Sequence, residues 1–349
     1  MTKKLTSSKN KINILLMSIL LVFSIVIFVN VGTANVSISD TFKIILSHIP
    51  IINKYIDITD ISDSYINIIW KIRLPRVLLG VLVGSSLSVA GAAFQGMFKN
   101  PMADPFVIGI SSGAALGATL GIVSGLSINI LGMSSITIFA FLGALLSVFL
   151  VYNIARVNQK IPITTLLLSG VAVGQLFTAM MSLIMLLYDN NMQKIIYWTM
   201  GGLSAKGWDP VVKLSLPLIL SMLALGLFSK ELNILLLGED SAKSMGINVE
   251  KTKRYIIILG SFMTALVVSV SGIIGFVGLI IPHSVRLIFG PDYKMLIPSS
   301  ALMGAIFMIF ADSIARTIIS PTEIPVGIIT ALFGAPFFIY LLKNRKSNL

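Results

Sequence analysis

The stretch RLPRVLLGVLVGSSLSVAGAAFQGMFKNPMADPFVIGISSGAALGATLGIVSG, Arg73 to Gly125, decides how the rest of the chain is read. It opens on two arginines, runs through a glycine-rich apolar segment, crosses a polar connection bracketed by Pro101 and Pro105, and enters a second glycine-rich apolar segment. An apolar run of about 20 residues spans a bilayer. The pattern is therefore two membrane helices joined at one aqueous face, with the arginines at the other. Small residues recur every four positions, at Gly80, Gly84, Ser88, Ala92 and Gly96 and again at Gly109, Gly113, Gly117, Gly121 and Gly125. In lipid that spacing lets backbones approach closely, so a tightly packed bundle is expected.

Composition carries the same reading outward to all 349 residues: 56% are hydrophobic and 11% charged, against about 25% charged in soluble domains. The net charge of +12 does not indicate nucleic acid, because the basic residues are scattered between apolar runs rather than clustered with aromatics. There is no cysteine and there are two histidines, which removes disulfides, thiolate catalysis and Cys- or His-built metal centres. No cofactor is expected.

Ten spans follow from hydropathy: 13–31, 69–92, 106–125, 134–155, 163–187, 211–229, 255–275, 277–290, 296–315 and 324–342. The first follows Lys3, Lys4, Lys9 and Lys11, and Gly32-Thr33-Ala34 supplies residues of the size found at signal cleavage sites. The run Ile14 to Val29 exceeds the usual apolar core of a signal peptide, about 7 to 15 residues, and is read as a span. The eighth span is short and contains Pro282, His283 and Arg286, which suggests a broken or tilted helix lined by protein. An even number of spans leaves both termini on one side, and their lysines and arginines place that side in the cytoplasm. The organisation is a tail at 1–12, one polytopic membrane domain at 13–342 with a cytoplasmic connection at 231–254, and a tail at 343–349.

Four cations resist the positive-inside pattern: Lys71, Arg73 and Arg76 at the outer end of the second span, and Arg316 at the outer end of the ninth. Two readings stand. Long cationic stems snorkel to headgroups, or the arginines form a basic rim that receives an acidic partner from outside. Asp312 lies four residues before Arg316, at a spacing that would partly neutralise it. A shift of 181 residues lays Ser88–Gly91 on Ser269–Gly272, Arg73 on Arg254 and Pro101 on Pro282, with opposite topology in the two copies. That is the pattern of an inverted repeat.

No Walker or Rossmann phosphate loop, H-E-x-x-H or G-x-S-x-G is present, so neither ATP hydrolysis nor intramembrane proteolysis is indicated. Buried carboxylates of the kind that couple proton or sodium flow are also missing from the spans; only Asp312, His283 and Arg286 approach that role. Within the cytoplasmic connection, Leu237 to Ile247 (LGEDSAKSMGI) reads as a short exposed helix. Glu239 and Asp240 sit at its amino terminus and Gly246 at its stop. A second helix is expected around Val249 to Lys253, and the pair is either an ordinary connection or a docking knob for a soluble partner.

Five motifs in order carry a family resemblance over nearly all of the chain after residue 65: RLPR at Arg73–Arg76, NPMADP at Asn100–Pro105, GEDSAKSMG at Gly238–Gly246, GFVGLIIPH at Gly275–His283 and EIPVGIITALFGAPFF at Glu323–Phe338. They resemble the FecCD permease family, membrane subunits of ATP-binding-cassette (ABC) importers for iron-siderophores, haem and cobalamin. The resemblance implies a non-catalytic subunit of ten helices paired with a second copy or a paralogue. It also implies two cytoplasmic ATPase subunits and an external binding protein that delivers the metal chelate. It further implies that Arg73, Arg76 and Arg316 meet acidic residues of the binding protein. Gly238, Glu239, Asp240, Ala242 and Gly246 would form the helix seated in the ATPase. Asn100, Pro101 and Met102, together with Thr164 and Thr165, match stretches that close the path on the cytoplasmic side. The likeness is poor over Gly32 to Ile68. The alternatives are an ion-driven secondary transporter and, further off, an intramembrane enzyme.

Overall fold

Helices account for almost every element of the computed structural model, which describes residues 2–32, 34–126, 129–130, 132–158 and 160–346. Ten are apolar: α1 Thr2–Asn30, α2 Leu74–Met97, α3 Ile110–Val123, α4 Ser135–Ala155, α5 Ile163–Leu187, α6 Trp208–Leu227, α7 Val249–Ser271, α8 Val277–Phe289, α9 Tyr293–Thr317 and α10 Val326–Lys346. Each expected span falls on one of them. Among the described residues, strand structure is limited to a two-residue antiparallel pair, Asn129–Ile130 with Met133–Ser134, so the fold is all-α.

The boundaries depart from hydropathy where polar atoms need partners. Pro75 has no N–H to donate, and the wide turn Ile68–Arg73, in which Leu74 N–H bonds back to Ile69 O, carries the chain past it into α2. The third span begins at Ile110 rather than 106, because Pro105–Ile108 is a 3-10 turn ended by Gly109 at φ 80°. The separate helix expected at Val249–Lys253 is the first turn of α7, which runs unbroken to Ser271. A further short helix, Ser229–Leu235, precedes the 238–246 motif. The expected tail at 1–12 is helical from Thr2; α10 continues to Lys346, while 347–349 lie outside the described residues, as does Thr33 of the Gly32-Thr33-Ala34 site.

Of the two readings of the eighth span, broken or tilted, the broken one falls: α8 is continuous through Pro282. At 1.5 Å per residue its 13 residues reach roughly 20 Å, short of a hydrocarbon core of about 30 Å. It can be short because it packs on α2 and α9 inside the bundle. In the 181-residue register Gly91 lies mid-helix, whereas Gly272 ends α7 at φ 68°.

α2 is the hub, with 83% of its apolar window buried against 17% for α1; it packs on α6, α7, α8 and α9. Glycine makes these crossings possible. A Cβ on Gly84 would lie 2.1 Å from Gly304 O, and one on Gly91 only 1.8 Å from Gly278 O. Gly91→Ala should therefore push α8 off α2 and lower the melting temperature of the detergent-solubilised protein by several degrees. Overpacking of this kind costs about 1–3 kcal/mol. Gly226→Ala, with nothing within 4 Å, is the control and should be neutral.

The weakly matching segment 32–68 builds a second, smaller core at the Arg73 end. Helix Ile38–Ser47 is capped by Ser37 and fastened to α1 by Thr41 Oγ1 donating to Asn30 Oδ1 at 2.7 Å. Val29, Ile44, Ile61, Ile69 and Val77 pack beneath it. Trp208 Nε1 donates to Trp70 O at 2.7 Å, and His48 stacks on Trp70 at 3.9 Å.

Candidate functional site

The functional residues read from the sequence collect at opposite ends of the bundle. At one end Arg73, Arg76 and Arg316 come together, but they are only 5%, 8% and 7% exposed. They neither snorkel nor form an open rim. Arg73 donates to the carbonyls of Asn30 (3.0 Å) and Ala34 (2.7 Å), and Arg316 to that of Phe28 and to Ser313 Oγ (3.2 Å). The last-turn carbonyls of a helix have no intrahelical donor, and α1 has no basic residue in its own last turn. Arginines from the Ile68–Arg73 turn before α2 and from α9 supply what it lacks, at the negative end of its dipole.

Arg76 takes the carboxylate that the spacing rule would give to Arg316. Its Nε lies 2.9 Å and 3.1 Å from the two oxygens of Asp312, and its Nη2 is 2.9 Å from Asp312 Oδ1. Asp312 is 2% exposed, so the pair is fully desolvated. The Nη1 of Arg76 reaches Glu323 at 2.7 Å, and Glu323 also accepts from Ser204 Oγ. Glu323 is 41% exposed. Partial burial pushes its carboxyl up, but the bonds from Arg76 and Ser204 prevail and hold it below the usual range. A cavity of about 350 Å³ opens between Gly32, Ile72, Glu323 and the three arginines.

The other end holds the 238–246 motif, which divides into a scaffold and a displayed face. Gly238 at φ 119° opens helix Glu239–Ser244 and Gly246 at φ 82° closes it. Both are conformations that glycine adopts without strain. Ala242 is fully buried with Leu235 and Val249. Asp240 is fully exposed and, among the described residues, bonded to Lys243 and, through its carbonyl, to Ser244; Leu237 and Met245 are 64% and 58% exposed. Glu239 points the other way, onto Lys253 of α7 at 2.7 Å.

Asn100, Pro101 and Met102 form a tight turn after α2. Asn100 N–H bonds to Gln95 O, Met102 N–H to Asn100 Oδ1 at 3.0 Å, and Ala103 N–H to Asn100 O. Asp104 then accepts from Phe106 N–H at 2.8 Å, and burial raises its pKa to about 6. Thr164, exposed, and Thr165, half-buried, occupy the first turn of α5. The Pro105–Ile108 turn packs on α5 where Gly170 meets Val107 O. Arg286, unexplained in the sequence, donates to Gln95 Oε1 at 3.0 Å, while Gln95 Nε2 donates to Leu279 O at 3.0 Å. This polar link ties α8 to the foot of α2.

Local pattern could not have supplied Glu323 as the second partner of Arg76, since 247 residues separate them. Glu250 and Lys253 did carry a signal, a carboxylate three residues before a lysine on one helix face.

A bundle of apolar helices with charged clusters at both ends has the build of a membrane transport subunit. The chain belongs to the FecCD transport family, whose model matches residues 19–344. It is 47% identical over 280 residues to the cobalamin import system permease protein BtuC of Halobacterium salinarum, covering 80% of this chain and 74% of that one. It is 36% identical over 347 residues to the Fe(3+)-citrate import system permease protein YfmD of Bacillus subtilis, covering 99% and 98%. It is 38% identical over 293 residues to the hemin transport system permease protein HmuU of Yersinia pestis, covering 83% and 87%. A solved structure described as an inward-facing conformation of a metal-chelate type ABC transporter superposes with a TM-score of 0.81 at 31% identity, covering 95% of this chain and 98% of that one.

Proposed function

We propose that the chain is the permease subunit of a binding-protein-dependent ABC importer that carries a metal chelate, iron-siderophore ahead of haem or cobalamin, across the cell membrane. The observation that carries this reading is the near-full-length agreement in fold with the metal-chelate transporter. ATP is hydrolysed by partner subunits seated on Asp240, Leu237 and Met245 at the cytoplasmic end, where the scaffold of Gly238, Ala242 and Gly246 presents them. The chain acts as one membrane domain, 13–342, with both termini cytoplasmic, and pairs with a second copy or a paralogue. The path runs between the two, and Asn100–Met102 and Thr164–Thr165 close it from inside. An ion-coupled carrier is not favoured: Asp312 is held by Arg76 and is not free to cycle protons or cations.

Binding-protein docking falls at the Arg73 end. In the present conformation Arg73, Arg76 and Arg316 are occupied from within, so an incoming carboxylate enters the cavity they line and takes the place of Glu323 on Arg76. Charge complementarity of this kind sets register as well as attraction.

The test is uptake by proteoliposomes holding the permease, its ATPase subunits and the external binding protein. ATP-dependent accumulation of the chelate is expected. Accumulation driven by a proton or sodium gradient without the ATPase would reverse the assignment. Glu323→Gln removes the internal competitor and should tighten binding-protein docking about fivefold, the worth of roughly 1 kcal/mol. An unchanged dissociation constant at low salt would remove the exchange at Arg76.

A further inference from the structure

The ammonium of Lys253 has three N–H donors and three acceptors around it: Glu239 Oε1 at 2.7 Å, Glu250 Oε1 at 3.4 Å and Ile161 O at 3.5 Å. Lys253 is only 4% exposed, and a buried ammonium is costly without such partners around it. The second oxygen of Glu250 accepts from Ile161 N–H at 2.8 Å. Ile161 is 2% exposed and precedes Pro162, which opens α5 without a side-chain cap. Both backbone groups of this one residue are thus gripped by the first turn of α7. The same lysine grips the first residue of helix Glu239–Ser244.

We infer that Glu250 and Lys253 are positioning residues that transmit movement of the Glu239–Ser244 helix to the Thr164–Thr165 turn through Ile161. The inference rests on the importer reading, in which that helix is the ATPase seat. The physical warrant is a contiguous charge-assisted chain. Glu239 is joined to Lys253, Lys253 to Glu250, and both of the latter to Ile161, with Thr164 three residues further along. The two segments it joins, 156–162 and 238–246, are far apart in sequence. Displacing Glu239 pulls on Lys253. To keep its three partners, the lysine must carry the Ile161 carbonyl with it, and Glu250 holds the amide of the same residue. Coupling between sites needs a physical element that both sites bias, and here the α5 lead-in is that element. Hydrogen bonds to charged groups are the stronger kind, and the firm links are Glu239 to Lys253 at 2.7 Å and Ile161 N–H to Glu250 at 2.8 Å.

The chain has no cysteine, so Leu168→Cys, 65% exposed and one turn beyond Thr164, reports on α5 as the sole thiol. In the complex with its ATPase subunits, the rate of thiol labelling at this position should change at least threefold between nucleotide-free and ATP-bound states. Adding Glu250→Ala should abolish that change and lower chelate transported per ATP hydrolysed at least tenfold, while the ATPase still co-purifies. Glu250→Gln, which keeps an acceptor for Ile161 N–H, should restore part of the coupling. A merely structural role would lower yield without moving that ratio. If Glu250→Ala fails to assemble, hydrogen exchange on the unmodified complex gives the answer. Protection of the Ile161 amide and of the 239–244 amides should shift together on ATP binding, and a shift in one alone overturns the inference. So does Glu250→Ala with normal labelling change and normal stoichiometry. A parent complex without ATP-driven transport would instead remove the importer reading itself.

Discussion

ATP-driven uptake is expected to fall at least thirtyfold when Glu239 and Asp240 are both replaced by lysine. Removing one partner of a desolvated charge pair costs about 2–5 kcal/mol, and 2 kcal/mol is already roughly thirtyfold in an equilibrium constant. The two substitutions act on different partners, so the single variants can be told apart. Glu239→Lys sets a second cation against Lys253, which is 4% exposed and cannot turn to water. Its damage is internal and should appear as poor coupling. Asp240→Lys alters a fully exposed side chain paired, among the described residues, with Lys243 alone, so its damage should fall on the proposed ATPase contact and appear as loss of co-purification. Lysine at either position also opposes the positive end of the helix dipole. Normal ATP-dependent transport by the double variant would contradict the seating of the ATPase on this helix.

The second large effect is on stability. Asp312→Ala leaves the guanidinium of Arg76 buried with only the half-exposed Glu323 as counter-charge. Breaking a buried ion pair from one side costs about 3–5 kcal/mol. Thermal unfolding of the purified protein in detergent should show a correspondingly large drop. The double replacement Arg76→Met with Asp312→Leu should recover most of it, because apolar pairs of similar volume often substitute for buried ions without loss. A single Asp312→Ala variant as stable as the parent would mean that water or Glu323 already neutralises Arg76. The same pair explains why reversing Arg76 to glutamate is a poor test of docking: it would place three carboxylates around one buried site.

The helices were legible because hydropathy and glycine spacing are local, and burial in lipid leaves few other solutions for a 20-residue apolar run. Gly84 and Gly113 sit at crossings as their spacing implies. The ends of the bundle were read less well. Arg73, Arg76 and Arg316 lie together, yet the i,i+4 spacing points Asp312 to Arg316 on α9, whereas the fold gives it to Arg76 on α2, 236 residues away. Carboxylates follow the nearest desolvated guanidinium in space, which sequence distance does not report. In the 238–246 motif the glycines and Ala242 were visible as a pattern, but which of Glu239 and Asp240 faces inward depends on Lys253. The segment 32–68 bears little likeness to the family motifs, and its place at one end of the bundle depends on partners from distant stretches: His48 stacks on Trp70, whose carbonyl accepts from Trp208.

The capping of α1 has a consequence for biosynthesis. The arginine that satisfies Phe28 O in its last turn lies 288 residues downstream. At about 5–20 residues per second, roughly 15 to 60 s pass before Arg316 exists. In that interval the carbonyls of Phe28, Val29 and Asn30 can be satisfied only by water, by headgroups or by Arg73, which is itself 43 residues from Asn30. The end of α1 is therefore fully fastened only once α9, far downstream, is in place.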